Sequence, residues 1–203
     1  MTTPVRLHGL GEPSDWIQDC LEGVAQRAVA AGDSQRKALD LACGQGRHVR
    51  ALLEAGYEVL AVDKDAMALS HCPAQAQTQV MDLEGQVWPL PDRSFDLVLV
   101  TNYLWRPHFQ SLLRCVAPGG YLLYETFMLG NEAFGSPKNS AFLLESEELL
   151  NLCRPEFTVL RFEQGVRKNP GPAVVQRILA QRKGVLAIQS AHVVSARIKK
   201  EKS

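Results

Sequence analysis

The sequence predicts an α/β domain built on a doubly wound, mainly parallel seven-stranded sheet with helices on both faces and an antiparallel last strand. Three observations carry that expectation. Short apolar runs alternate with segments of helical spacing along most of the chain. The first such run opens directly into paired glycines and a helix, in "ALDLACGQGRH". The last two runs, "TVLRFEQG" and "AVVQRILAQR", follow one another with no helix between them. Parallel neighbours need right-handed crossover connections, and these put helices on both faces.

Each element follows in order. Ser14 is placed to cap a leading helix, "DWIQDCLEGVAQRAV", in which Trp16, Ile17, Cys20, Leu21, Val24 and Ala28 recur at helical spacing and which ends near Gly32. "KALDLAC" is the first strand, "RHVRALLEAG" a helix ending at Gly56, "YEVLAVD" the second strand and "KDAMALSHC" a short helix. "TQVMDLE" is a short, mixed third strand, and "SFDLVLVTNYL" is the most apolar strand. "HFQSLLRCVA" is a helix that stops at "PGG", and "GYLLYETF" is the fifth strand. The irregular "MLGNEAFGSPKNSAF" has the length and composition of a lid or binding loop. "SEELLNLC" is a helix capped by Ser146, and the last two strands pair antiparallel. Residues 1–183 read as one domain; 184–203 form a basic extension, a final strand or helix or a loose tail.

Composition narrows the function. A chain of 203 residues, 46% hydrophobic and 22% charged, is large enough for one well-buried core. Lys plus Arg number 22, as do Asp plus Glu, so no global field draws the protein to nucleic acid or an anionic membrane. Five scattered cysteines, with no CxxC or Cys/His metal spacing, point to a reduced, cytoplasmic setting without a metal site. Neither an export signal nor 18 consecutive apolar residues is expected from the sequence.

Ligands of open α/β sheets sit outside the carboxyl ends of the strands. The turn holding Gly44 and Gly46 lies there. A dinucleotide fingerprint needs a third glycine where Val49 stands, and the Gly-Lys-Ser or Gly-Lys-Thr end of a P-loop is missing. Asp40, near the end of the first strand, would repel a pyrophosphate and favour an ammonium or sulfonium. Its plainer role is to cap the turn.

"LDLACGQGRH" resembles motif I of the class I S-adenosylmethionine-dependent methyltransferases, an acid-x-Gly-x-Gly-x-Gly pattern. Asp40, Ala42, Gly44 and Gly46 fill its places, with Ala42 where glycine is commoner. The resemblance extends through "MDLE", "WPLPDRSFDLVLV" and "APGGYLLYE", over roughly Lys37 to Glu125. It implies a Rossmann-like methyltransferase fold and S-adenosylmethionine as cofactor. It further implies that Asp63 grips the two ribose hydroxyls, that Asp82 accepts from the adenine amino group, and that the Leu83 backbone N–H reaches a ring nitrogen. On their own, Asp63 is a strand-end acid and Asp82 a turn residue.

"TNYLWRPHF" and "YETFMLGNEAFGSPKNSAFLL" look like a bacterial subgroup related to the tellurite-resistance-type small-molecule methyltransferases. The acceptor-site candidates are Asn102, Tyr103 and His108, after the fourth strand, and Glu125 with Tyr124, at the end of the fifth. His108 is a base near neutral pH or a helix cap, and Tyr103 a contact or a packing residue. Asn and Tyr occur without the paired prolines of amino methyltransferases, which counts against base or glutamine methylation. Trp88 and Phe95 read as core residues, and the loop from Met128 to Asn139 as a cover for the acceptor. The expected enzyme is a monomer or homodimer that methylates a small molecule or metalloid by in-line displacement. Methylation of RNA or protein, and non-catalytic sensing of S-adenosylmethionine, are the alternatives.

Overall fold

The most apolar runs become the central strands, where both faces are covered. The computed structural model describes residues 13–30, 36–90, 94–169 and 171–184. Helix α1 is Asp15–Ala30, strand β1 Arg36–Leu41, α2 Val49–Glu54, β2 Tyr57–Asp63, α3 Ala66–Leu69 and β3 Gln77–Val80. Strand β4 is Phe95–Thr101, α4 Phe109–Arg114, β5 Val116–Phe127, α5 Glu148–Cys153, β6 Phe157–Arg167 and β7 Ala173–Arg182.

One seven-stranded sheet has the order β3-β2-β1-β4-β5-β7-β6. Strand β1 lies parallel between β2 and β4, with Leu39 opposite Leu60 on one side and Val98 on the other. Strand β7 runs antiparallel to both β5 and β6, so the later strand of the closing hairpin is the inner one. Chain order reverses between β1 and β4, and a crevice opens beyond their carboxyl ends.

Alternate residues of the same strands feed two cores. Leu39, Leu41, Val98 and Val100 pack with α4 and α5 on one face through Phe109, Leu112, Leu149 and Cys153. Ala38, Leu97 and Leu99 pack with α1 and α2 on the other through Trp16, Ile17, Val49 and Leu52. Phe95 is buried, and Trp88 packs half-buried against the first core with its indole N–H on the Leu90 carbonyl.

Several elements depart from the expectation. Strand β3 covers only Gln77–Val80 and is exposed throughout, an edge strand whose polar residues have no core to meet. Strand β5 starts at Val116 and runs through "PGG" instead of after it. Gly120 allows this, because a Cβ there would stand 2.9 Å from the Asp96 carbonyl oxygen of β4. Helix α2 begins at Val49, and residues 44–48 remain turn. The Ser14 carbonyl accepts the Gln18 N–H, but its hydroxyl turns to Glu125 instead of capping α1. Glu147, at φ +58, precedes α5 without a side-chain cap, while Ser146 accepts from Gln164. Gly32, the Ala28 side chain and "RIKKEKS" lie outside the described residues. The five cysteines are unpaired, and no described helix is long and apolar enough to cross a membrane.

Candidate cofactor and acceptor site

The turn after β1 is held open by backbone conformation and tied down by β2. Ala42, Gly44 and Gly46 all have left-handed φ values, +55°, +57° and +74°, which an alanine adopts only under constraint. The Gly44 N–H donates to Asp63 Oδ2 at 2.8 Å, and the Cys43 N–H donates to the Val62 carbonyl at 3.0 Å. Asp63 Oδ1 accepts the Asp65 N–H at 3.0 Å, so each carboxylate oxygen keeps a lone pair for a further donor. Gly46 faces inward instead: a Cβ there would stand 2.6 Å from Cys72 Sγ, so this glycine serves close packing behind the turn.

A cavity of about 490 Å³ opens beyond the strand ends. Its floor is the glycine turn, from Ala42 to Gly44 with Arg47, and one side is Asp63 with Lys64 after β2. Met81, Leu83 and Glu84 follow β3 along the same side, with Lys64 Nζ 3.6 Å from Glu84. Opposite stand Asn102 and Tyr103 after β4 and Thr126 and Phe127 at the end of β5. Ser136, Pro137 and Phe142 roof it from the long loop. Asn131 fastens that loop, accepting the Val174 N–H of β7 at 3.1 Å and donating to the Ser136 carbonyl at 3.3 Å.

Asp40 sits behind the turn, 1% exposed, with neither carboxylate oxygen hydrogen-bonded. Burial pushes its carboxyl up to about 7, and Arg47 opposes that rise. Asp40, expected to meet the ligand, is not among the residues that line the cavity; Asp63 is, and its free lone pairs suit a ligand with vicinal hydroxyls.

The acceptor candidates separate into two groups. Asn102 and Tyr103 line the cavity; Asn102 is left-handed at φ +54 and donates its N–H to the Glu125 carbonyl at 2.9 Å. The Tyr103 hydroxyl donates to the Leu83 carbonyl at 3.1 Å, which braces the wall across the cavity. His108 stands outside the cavity, its Nε2 donating to the Gly85 carbonyl at 2.6 Å and its ring 5.7 Å from that of Trp88. It heads α4 without capping it. Tyr124 is fully buried and donates to the Tyr103 carbonyl at 2.6 Å.

Glu125, expected to face the cleft, is instead fully buried below it. Its carboxylate accepts the Ser14 hydroxyl at 2.9 Å and pairs with Arg167 and, at 3.3 Å, with Arg177. Ser14 also donates its N–H to His48 Nε2 at 3.3 Å, which requires a neutral imidazole; burial and Arg47 hold His48 down to about 3. Asp82 is exposed outside the cavity, and Oδ1 accepts the Glu84 N–H at 2.9 Å, an Asx turn, whereas Leu83 is in the wall. Arg47, Thr126 and Phe127 were not among the expected site residues, although the first follows the glycine turn and the others end β5; Phe142 ends the stretch expected as a lid or binding loop.

Residues 38–120 match a family model described as a methyltransferase domain. The chain is 29% identical over 144 residues to a tRNA U34 carboxymethyltransferase of Methylococcus capsulatus, covering 64% of this chain and 44% of that one. It thus spans less than half the length of that relative. TehB from Haemophilus influenzae shares the fold with a TM-score of 0.60 and 20% identity, over 80% of this chain and 62% of its own. Magnesium protoporphyrin IX methyltransferase of Synechocystis, solved with bound S-adenosylmethionine, does so at 0.58 and 16%, over 88% of each chain. Domain match and strand order agree: the chain resembles S-adenosylmethionine-dependent methyltransferases, with a methyltransferase-domain match over residues 38–120 and their Rossmann-like fold.

Proposed function

We propose that this protein transfers a methyl group from S-adenosylmethionine to a small-molecule acceptor. The observation that carries the reading is the single cavity shared by the glycine turn, Asp63, Leu83 and the ends of β4 and β5. S-adenosylmethionine supplies a methyl group activated by a sulfonium. The protein's own task is alignment and the exclusion of water. Asp40 and the turn hold the ammonium end, Asp63 takes the ribose hydroxyls, and Met81 and Leu83 flank the base. Asn102, Tyr103, Thr126 and Phe127 line the space for the acceptor, under the Ser136–Pro137 segment.

The two strongest base candidates are engaged elsewhere, Glu125 with two arginines and His108 with Gly85. The acceptor therefore arrives as a competent nucleophile and needs no early proton removal. The end of the cavity lined by Tyr103, Leu104, Phe127, Pro137 and Phe142 is largely apolar, which favours a compact molecule there. Five unpaired cysteines suit a reduced, cytoplasmic setting.

The tRNA U34 carboxymethyltransferase relative favours a second reading, in which the acceptor is RNA. One experiment separates them. The protein is incubated with methyl-labelled S-adenosylmethionine and cell extract divided into metabolite, RNA and protein fractions. Label in metabolites is the expected outcome; nuclease-sensitive label identifies RNA, and tight cofactor binding with no label transferred identifies a sensor.

A further inference from the structure

The segment between β4 and α4 is bonded to both sides of the cavity. On one side the Tyr103 hydroxyl and His108 donate to the carbonyls of Leu83 and Gly85. On the other, Arg106 reaches the long loop that roofs the cavity. Its Nη1 donates to the Ala141 carbonyl at 2.7 Å and its Nη2 to the Leu143 carbonyl at 2.9 Å. Nε and Nη2 also grip the two carboxylate oxygens of Glu148, at the start of α5, at 2.7 and 2.8 Å. Glu148 Oε2 accepts the Glu145 N–H at 2.8 Å as well, which ties the end of the loop to the same pair. The planar fork of one guanidinium thus locks the loop and a helix to the end of β4.

The two carbonyls that Arg106 holds lie on either side of Phe142 in the chain. The Phe142 ring lines the cavity and is 38% exposed, so burial in the core does not fix its place. Ser140–Phe142 is a single 3-10 turn, capped by Asn139 through the Ala141 N–H at 2.9 Å. Leu143 and Leu144 are buried and anchor the chain just beyond it. The leucines therefore keep the loop on the body, while Arg106 sets the peptides that aim Phe142.

We propose that Arg106 is a positioning residue for methyl transfer: it holds Phe142 over the apolar end of the cavity, where the ring presses the acceptor toward the methyl group. The proposal rests on the cavity being the site of methyl transfer. An in-line displacement loses up to about 100-fold when reacting atoms are misplaced by about 1 Å. A released roof is accordingly felt in turnover. Cofactor affinity is spared, because Gly44, Asp63 and Leu83 line the cavity without touching Arg106.

A double-mutant cycle tests this. Label transfer from methyl-labelled S-adenosylmethionine is measured with the cell-extract fraction that the wild type labels, and S-adenosylhomocysteine is titrated calorimetrically beside it. Arg106→Met and Phe142→Ala should each lower turnover at saturating S-adenosylmethionine about 10-fold, with affinity for S-adenosylhomocysteine kept within about threefold. The double variant should fall no further than about 10-fold, since both changes remove one device. Arg106→Lys, which can reach a carbonyl but lacks the fork, should recover part of the loss. A fall of about 100-fold in the double variant, the product of two independent effects, overturns the proposal. Normal turnover in Arg106→Met overturns it too, and so does an equal loss of S-adenosylhomocysteine affinity, which would make Arg106 a general support; in each case the methyltransferase reading stands. If Arg106→Met does not fold, Arg106→Lys takes its place in the cycle and the same outcomes decide. Absence of any label transfer by the wild type overturns the methyltransferase reading, and the proposal with it.

Discussion

Asp63 and Gly44 are joined by one hydrogen bond, 2.8 Å from the glycine N–H to Oδ2. The carboxylate is thereby both a strap on the turn and part of the cavity wall. Asp63→Ala removes both roles, and affinity for S-adenosylhomocysteine should fall roughly 100-fold, the scale of two lost charge-assisted bonds. Asp63→Asn keeps an oxygen for Gly44 and should lose less. Calorimetry beside circular dichroism checks this; an Ala variant that stays folded and binds normally would remove Asp63 from the site.

Asp40, whose pKa is raised by burial behind the turn, should make stability depend on pH, and ligand affinity with it. Its folded-state pKa is about 7 against an ordinary value of 3.8, so between these values the native protein holds a proton that the unfolded chain has released. Stability of the ligand-free protein attributable to Asp40 therefore falls as pH rises from about 4 to about 7. Affinity for a ligand with an ammonium moves the other way and rises through about 7 as the carboxylate ionises. Thermal melts across pH, with and without S-adenosylhomocysteine, should show both trends in the difference between wild type and Asp40→Asn. A flat difference would count against the assignment.

Glu125 is a support for the site and not a member of it. Glu125→Ala leaves Arg167 and Arg177 without their shared partner and should destabilise the fold by about 3–5 kcal/mol, whereas Ser14→Ala should cost about 1 kcal/mol. Denaturant midpoints measure both. Equal, small effects would mean that the buried cluster contributes little.

Asn131 should govern the loop over the cavity. Asn131→Ala deletes its bonds to Val174 and Ser136, and amide exchange across residues 128–139 should quicken in the ligand-free protein. Ligand should slow exchange there in the wild type. If it does not, the loop is a fixed wall and not a lid.

The central strands were legible because runs such as "DLVLV", short and rich in valine and leucine, suit a strand covered on both faces, and the glycine turn because a tight strand-to-helix turn needs left-handed residues. Asp63 was legible for the same positional reason. Glu125 was not, since an acid at a strand end reads alike whether it meets a cleft or an arginine, and Arg167 lies 42 residues away along the chain. Arg47 was hidden by ordinariness: one arginine beside a turn carries no signal until the cavity it lines is known. Ser14 and Ser146 were misread as caps because a serine before a helix is judged on local bonds, and their partners, Glu125 and Gln164, belong to distant strands. The span of β5 through "PGG" depended on how closely β4 approaches Gly120.

The insertion of β7 between β5 and β6 has a consequence for synthesis on the ribosome. Strand β6 emerges first but its partner is β7, so a nascent chain ending near Arg167 carries β5 with one edge unpaired and Glu125 beside it. Only when Ala173–Arg182 has been made can that edge close and Arg177 reach the carboxylate. Until then the exposed edge invites pairing with other chains. The last described strand is thus the step that turns a half-built sheet into a protected one, and truncation within it should produce aggregation.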